Sequence, residues 1–234
     1  MSNYWEERLI KQQDNLHDKT EAEGIRELRK KYKQALRDAK EDMSALYDEI
    51  LAEAIDGKIK PNDLYKFNRL FEMRGNLNST LQRLGKEEID IFTKQFLGMY
   101  QLSDNLIFRF LTSIGALQGI KGSSFTMEQE GAAQKVLESV WCADGKHWSN
   151  RVWRDMDTLQ QRVEKGLFDN VSRGVPKDRM VETLINDFNV LFHSADRIMR
   201  TELTYVQNQA ACDRYRASGI ERYKIIAALD DRTS

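Results

Sequence analysis

Proline occurs only twice among the 234 residues of this chain, at Pro61 and Pro176, and glycine occurs 13 times. Because both residues weaken or end helices, their scarcity leaves long stretches that no residue interrupts. Those stretches are rich in Leu, Glu, Lys, Arg, Ala and Gln, which are good helix formers. The sequence therefore predicts a mainly α fold: a long N-terminal helix and helical bundle, then an α-rich C-terminal module that ends in a short β element.

Apolar residues at spacings of three and four predict the helices of the first half. One helix is expected over residues 3–56, with an apolar stripe from Ile25 to Ile50. A second segment opens at Pro61 and is expected to break at Gly85. From Glu87 to about Leu117 follows a helix with apolar residues on more than one face, which favours a central position in the core or an oligomer contact.

The second half contains four more predicted helices and a strand. A short helix over 126–141 precedes a turn at 143–146. Regular apolar spacing from Trp148 to Val171 predicts a helix that Gly174 ends.

Pro176 is suited to the first turn of another, shorter helix, which is expected to reach Ile185. Residues 188–192 link it to a last helix, for which Ser194 is the predicted N-cap and Gly219 the stop. Arg222 to Leu229 has β-type residues and predicts a strand.

Small residues separate the two halves. Gly119, Gly122, Ser123 and Ser124 are typical of a hinge. The expected organisation is an N-terminal helical region over 1–118, a hinge over 119–125 and a C-terminal domain over 126–234.

Composition excludes several function classes. The formal net charge of -1 gives no overall reason to expect binding to nucleic acid or to an anionic membrane, and no stretch has the apolar length of a membrane span. Cys142 and Cys212 form neither a disulfide framework nor a metal-ligand pattern, so they are expected to be small buried apolar residues. We expect no metal and no cofactor.

One local charge cluster departs from this balance. Between residues 26 and 40 the first helix carries seven basic side chains against two acidic ones. Most such clusters are solvated helix faces, and contact with DNA or an acidic partner is the alternative. The basic stripe comprises Arg26, Arg29, Lys30, Lys31, Lys33, Arg37 and Lys40.

The polar run RTELTYVQNQ interrupts the last helix at residues 200–209. On a helical wheel Glu202 lies at the border of the apolar stripe, while Arg200 lies on the opposite flank. A carboxylate at such a border needs a partner, because burying it alone is unfavourable. A structural network is therefore the expected role. No nucleophile–base pair or metal-ligand set accompanies it, so no catalytic residue is predicted.

The run from Ala195 to Ser234 closely resembles the signature region of the phage minor head protein family, the Mu F-like head-morphogenesis domain. The residues that carry the resemblance are an Arg-Thr-Glu triplet, a following Asn, a Gly at the helix end, a short strand, and Leu-Asp-x-Arg-Thr. The resemblance extends over about residues 140–234. Members of that family usually continue past this motif with further strand residues, whereas this sequence stops at Ser234, so the domain is expected either to be cut at its C-terminal end or to be a short variant. The residues proposed as its structural network are Arg200, Thr201, Glu202, Asn208, Asp230, Arg232 and Thr233.

The resemblance implies an assembly protein that lies inside the capsid near the portal, after synthesis in the host cytoplasm. The portal protein would be its partner, with the scaffold or major capsid protein, packaged DNA, or self-association through the long helices as further contacts. Its role would be head morphogenesis, DNA delivery into the host, or both.

Two other functions stay open. The Arg-Thr-Glu triplet also invites comparison with glutamate-based ADP-ribosyltransferases, and the basic stripe invites comparison with non-specific DNA-binding proteins.

Two specific ion pairs are also expected: Glu202 with Arg232, and Arg200 with Asp230 or Asp231, as charge-assisted bonds. Glu202→Ala and Arg232→Ala should then each lower the melting temperature, and the double variant should be less than additive.

Overall fold

A computed structural model describes residues 2–53, 68–115, 127–220 and 222. The regular elements within these ranges are the helices α1 (Ser2–Glu53), α2 (Asn68–Ser113), α3 (Met127–Leu137), α4 (Trp148–Ser172) and α5 (Lys177–Ala217). The mainly α class is confirmed. The expected start at Pro61, the hinge over 119–125 and all but the first residue of the expected strand lie outside the described residues.

Three long helices form the centre of the bundle. α1, α2 and α5 pack against one another, α4 lies against α2 and α5, and the short α3 contacts the same two helices. The predicted stripe of α1 faces this centre, with Leu28, Leu46 and Ile50 all buried. The apolar spacing along α4 likewise matches a buried face from Trp148 to Leu167. Gly174, at φ 68°, follows the end of that helix as predicted.

The main hydrophobic core contains residues from both halves of the chain. Buried residues of α1 and α2, such as Tyr32 and Phe92, belong to the same cluster as Val152 of α4 and Leu203 of α5. The expected division into 1–118 and 126–234 therefore does not correspond to two separate hydrophobic cores. The long α5 helix joins the halves because its apolar face packs on α1 and α2 as well as on α4.

The predicted break at Gly85 is wrong, because α2 runs through this residue without interruption. A Cβ atom placed on Gly85 would lie 2.6 Å from the ring of Trp153 in α4. The glycine permits a close approach between the two helices. Tertiary packing therefore explains a residue that the sequence suggested to be a helix stop.

The predicted N-cap at Ser194 is also wrong, because α5 extends without interruption from Lys177 to Ala217. The hydroxyl of Ser194 donates a hydrogen bond to Asp155 of α4 instead. The predicted shorter helix, the link over 188–192 and the last helix are therefore one element. Its start after Pro176 agrees with the prediction.

A buried ion pair joins the C-terminal part of α5 to α2. The guanidinium of Arg214 in α5 donates to both carboxylate oxygens of Asp104 in α2, through Nε at 2.8 Å and through Nη2. Nearby, the Tyr100 hydroxyl donates to Asp213 at 2.9 Å. These bonds fix the C-terminal part of α5 against α2.

Candidate functional site

Glu202 lies near the middle of α5 and is only 4% exposed. Its Oε2 accepts a hydrogen bond of 2.8 Å from the indole Nε1 of Trp141. The expected partner, Arg232, lies outside the described residues, so that pairing stays a prediction. The structure thus shows that a buried carboxylate has a partner, and that this partner is an aromatic side chain from the segment between α3 and α4.

Trp141 is held in place by a second contact with α5. Its ring stacks on that of Tyr205, with centroids 4.5 Å apart and an angle of 8° between the planes. The hydroxyls of Tyr205 and Ser139 lie 2.9 Å apart and form a hydrogen bond. The segment 138–147 is therefore fastened to α5 by one hydrogen bond from the indole, one ring stack and one hydroxyl pair.

The sequence missed this contact because it placed Trp141 inside a helix over 126–141. The helix α3 instead ends at Leu137. Residues 139–141 are consequently free to extend towards α5. A tryptophan just before the predicted turn at 143–146 was the available signal, and a turn is indeed present there, with Gly145 at φ 63°.

Burial makes Glu202 a weaker acid than an exposed glutamate. Burial raises the pKa of its carboxyl above the usual value. The Trp141 hydrogen bond and the positive charges of Arg151 and His147 lower the pKa, without offsetting the effect of burial. The carboxyl consequently keeps its proton to a higher pH than an exposed glutamate does.

Arg151 of α4 completes the surroundings of Glu202. Its Nη2 donates to Asp144 at 2.8 Å, whereas its Nε is buried and has no hydrogen-bond partner among the described residues. His147 is satisfied on both ring nitrogens, by the Ser149 hydroxyl and the Leu137 carbonyl, each at 2.7 Å. This histidine therefore holds the turn against α3.

The other residues of the proposed network point away from Glu202. Arg200 donates to Glu21 of α1 at 3.0 Å and to Asp196 at 3.2 Å, on the opposite flank of α5 as predicted. Thr201 and Asn208 are exposed. Asp230, Arg232 and Thr233 lie outside the described residues, as does Asp231. The triplet at 200–202 thus connects α5 to two different parts of the bundle.

The two cysteines differ from the expectation of burial. Neither Cys142 nor Cys212 is in a disulfide, and both are partly exposed. Cys142 lies in the turn segment near Arg151, where it contributes to a raised pKa of that guanidinium. Position in a turn and near the end of α5 explains why neither side chain is deep in the core.

The basic stripe on α1 is largely exposed but not uniformly unpaired. Lys31 donates to Glu87 at 2.8 Å, and Arg37 donates to Gln34 on its own helix. The Arg29 guanidinium lies 5.2 Å from the ring centroid of Phe192 in α5. The members Arg26, Lys30 and Lys33 are exposed, and Lys40 is half-buried. Some side chains of the stripe therefore contact residues of α2 and α5.

Metal-ligand clusters and membrane-spanning helices are both absent from the described ranges. Among these residues no group of three or more His, Cys, Asp or Glu side chains is placed to hold a metal ion. In the same part of the chain no helix combines the length and apolarity needed to cross a membrane.

Comparison with known proteins adds no relative. No protein family, curated protein or solved structure matches this chain.

Proposed function

We propose that this chain is a minor head protein of a bacteriophage, associated with the portal and acting in head morphogenesis, in DNA delivery, or in both. The proposal starts from the resemblance of residues 140–234 to the Mu F-like domain. In the virion it would lie inside the capsid near the portal, after assembly in the host cytoplasm. The strand expected over 222–229 would belong to the same domain.

The observation that carries the proposal is the role of the triplet at 200–202. Arg200 ties α5 to α1 through Glu21, while Glu202 ties α5 to the segment 138–147 through Trp141. Arg200 and Glu202, which belong to the motif that carries the resemblance, therefore form contacts that hold α5 against other parts of the fold. A protein that works by presenting a rigid surface depends on such contacts, whereas a transferase needs an accessible carboxylate.

The alternative of an ADP-ribosyltransferase gains no support from this geometry. The carboxyl group of Glu202 is buried and hydrogen-bonded to Trp141, and burial raises its pKa. Steady hydrolysis of a nicotinamide dinucleotide by the purified chain, lost in Glu202→Gln, would favour the enzyme over the assembly protein.

We assign the portal docking surface to the exposed apolar residues beside the Trp141–Glu202 contact. Val140 is 53% exposed and Trp141 is 41% exposed, and the residues on either side of Val140, Ser139 and Trp141, both contact α5. Rigid apolar side chains at the surface are typical of protein contacts. We expect the portal protein to cover this pair.

Co-purification tests the proposal directly. The tagged chain, expressed in infected cells, should retain a portal ring, and native mass spectrometry should give the copy number. Val140→Asp should abolish retention, while the matched change Leu102→Asp, at a side chain 51% exposed on α2, should leave it intact. A correctly folded wild-type chain that retains no portal ring would refute the proposal, and equal losses in both variants would refute the assigned surface.

A further inference from the structure

A depression between α1 and α5 has an apolar floor. The floor is formed by Leu36 of α1, by Phe188 and Phe192 of α5, and by the ring of Tyr32. The volume of about 250 Å³ corresponds to about eight water molecules, so one apolar side chain of a ligand fits there. We refer to it as the α1–α5 depression.

The rim of the α1–α5 depression is positive and exposed. It consists of Arg29 and Lys33 of α1 and Asn189 and His193 of α5, and none of the described residues that line the depression is acidic. Arg29, Lys33 and Asn189 form no hydrogen bond or salt bridge within the described ranges. The Arg29 guanidinium lies over the Phe192 ring, 5.2 Å from its centroid, and its N–H groups stay available. The rim therefore offers two cations and a side-chain amide to a ligand.

We propose that the α1–α5 depression binds the C-terminus of a partner protein whose last residue is apolar. The side chain of that residue lies on Phe188 and Leu36, and its free α-carboxylate accepts hydrogen bonds from Arg29 and Lys33. A guanidinium suits a carboxylate because it donates two parallel hydrogen bonds. The Asn189 amide can donate to a backbone carbonyl of the partner and accept from a backbone N–H.

The combination of an apolar floor with a cationic rim favours this occupant. Within a protein chain, a carboxylate and an apolar side chain occur on the same residue only at the C-terminus, and capture of that carboxylate is a known mode of peptide recognition. A phosphate or an acidic side chain can meet Arg29 and Lys33 but leaves the apolar floor uncovered. Because the rim is exposed, the chain that precedes the last residue has a path into solvent.

This site is separate from the surface assigned to the portal. Phe192 lies in the depression, whereas Tyr205 stacks on Trp141, and the two residues are about 20 Å apart along α5 at 1.5 Å per residue. The proposal does not rest on the portal association, and it applies equally to a chain that retains no portal ring.

The test uses two labelled peptides that differ at one group. Both consist of glycine and serine residues followed by a last leucine, and one ends in a free carboxylate while the other ends in a carboxamide. Binding of each to the full chain is followed by fluorescence anisotropy in about 0.1 M KCl, where charges more than about 10 Å apart are largely screened. An exposed ion pair contributes up to about fivefold in affinity. The free acid should therefore bind roughly tenfold more tightly than the amide, which forms neither ion pair.

Two double variants with the same change in charge locate the site. Arg29→Gln/Lys33→Gln should weaken binding of the free acid roughly tenfold and leave binding of the amide unchanged. Arg26→Gln/Lys30→Gln removes neighbouring exposed cations that do not line the depression, and it should leave binding of both peptides unchanged. All four side chains are exposed, so both variants should melt near the wild-type temperature. If the first variant is unfolded, Asn189→Asp replaces it, because a negative charge on the rim should weaken binding of the acid and not of the amide.

Four results would overturn the assignment. Equal affinities of the free acid and the amide, including no binding of either, would show that no terminal carboxylate is recognised. Equal losses of affinity in the two double variants would place the binding outside the depression. Stronger binding of an amidated polyglutamate peptide than of the free acid would assign the rim to acidic side chains. Binding of free hexanoate as tight as that of the peptide would assign the depression to a small carboxylate.

Discussion

Replacing Glu88 by glutamine should change how the stability of this protein depends on pH. Glu88 is 2% exposed in α2, and its Oε2 accepts a hydrogen bond of 2.6 Å from the Tyr32 hydroxyl. Burial raises the pKa of Glu88 to about 8. The Tyr32 hydrogen bond lowers this pKa and the charge of Asp155 raises it. The folded protein therefore holds a proton at neutral pH that the unfolded chain releases.

The sign and size of the effect follow from proton linkage. A raised folded-state pKa contributes stability that is fully present below the unfolded pKa of 4.5 and is lost as the pH rises through about 8. Within this window the free energy of unfolding should fall by about 1.4 kcal/mol per pH unit, or about 5 kcal/mol in total. Glutamine keeps an oxygen that accepts from Tyr32 but takes up no proton. Glu88→Gln should therefore have nearly wild-type stability at pH 5 and should be more stable by a few kcal/mol at pH 8.5.

Urea unfolding at half-unit steps from pH 5 to pH 9, followed by tryptophan fluorescence, measures the difference between the two proteins. The matched control is Glu87→Gln, which removes the same charge from the neighbouring residue, where the carboxylate is partly exposed and bonded to Lys31. Because this control keeps Glu88, its free energy of unfolding should fall with pH as the wild type's does, and its difference from the wild type should stay nearly constant. A difference between wild type and Glu88→Gln that stays constant from pH 5 to pH 8.5 would refute the reasoning.

Two further changes probe the contacts described above. Trp141→Phe keeps a ring to stack on Tyr205 but removes the donor to Glu202, so the free energy of unfolding should fall by about 1–3 kcal/mol; wild-type stability in urea would show that this bond contributes nothing. Gly85→Ala forces a methyl group to within 2.6 Å of Trp153 and should destabilise by about 1–3 kcal/mol before any gain in helix propensity. Gly75→Ala meets nothing within 4 Å and should instead stabilise by up to about 1 kcal/mol, so equal thermal shifts in the two alanine variants would contradict the packing argument.

The local parts of the fold could be predicted because they depend on residues close together in the sequence. The apolar spacing of α1 and α4 identified their buried faces. Pro176 and Gly174 marked a helix start and a helix end. The position of Glu202 on the border of a stripe, with Arg200 on the other flank, also followed from helix periodicity alone.

Residues that act between helices could not be predicted in this way. Gly85 resembles a helix stop in isolation, yet it remains helical because Trp153 packs against it. Ser194 resembles an N-cap, yet it bonds to Asp155 on another helix. In both cases a contact more than 35 residues away in the chain decides the conformation, and no local pattern records such a contact.

The same distinction applies to the sites. By itself, the sequence determined that the protein is helical, which faces are apolar and where the polar run interrupts them, because helix periodicity and backbone preference are local properties. Only the tertiary structure decided that Trp141 is the partner of Glu202 and that Arg214 pairs with Asp104 of α2. Those arrangements depend on how helices pack, and packing brings together side chains whose separation along the chain gives no indication of their distance in space.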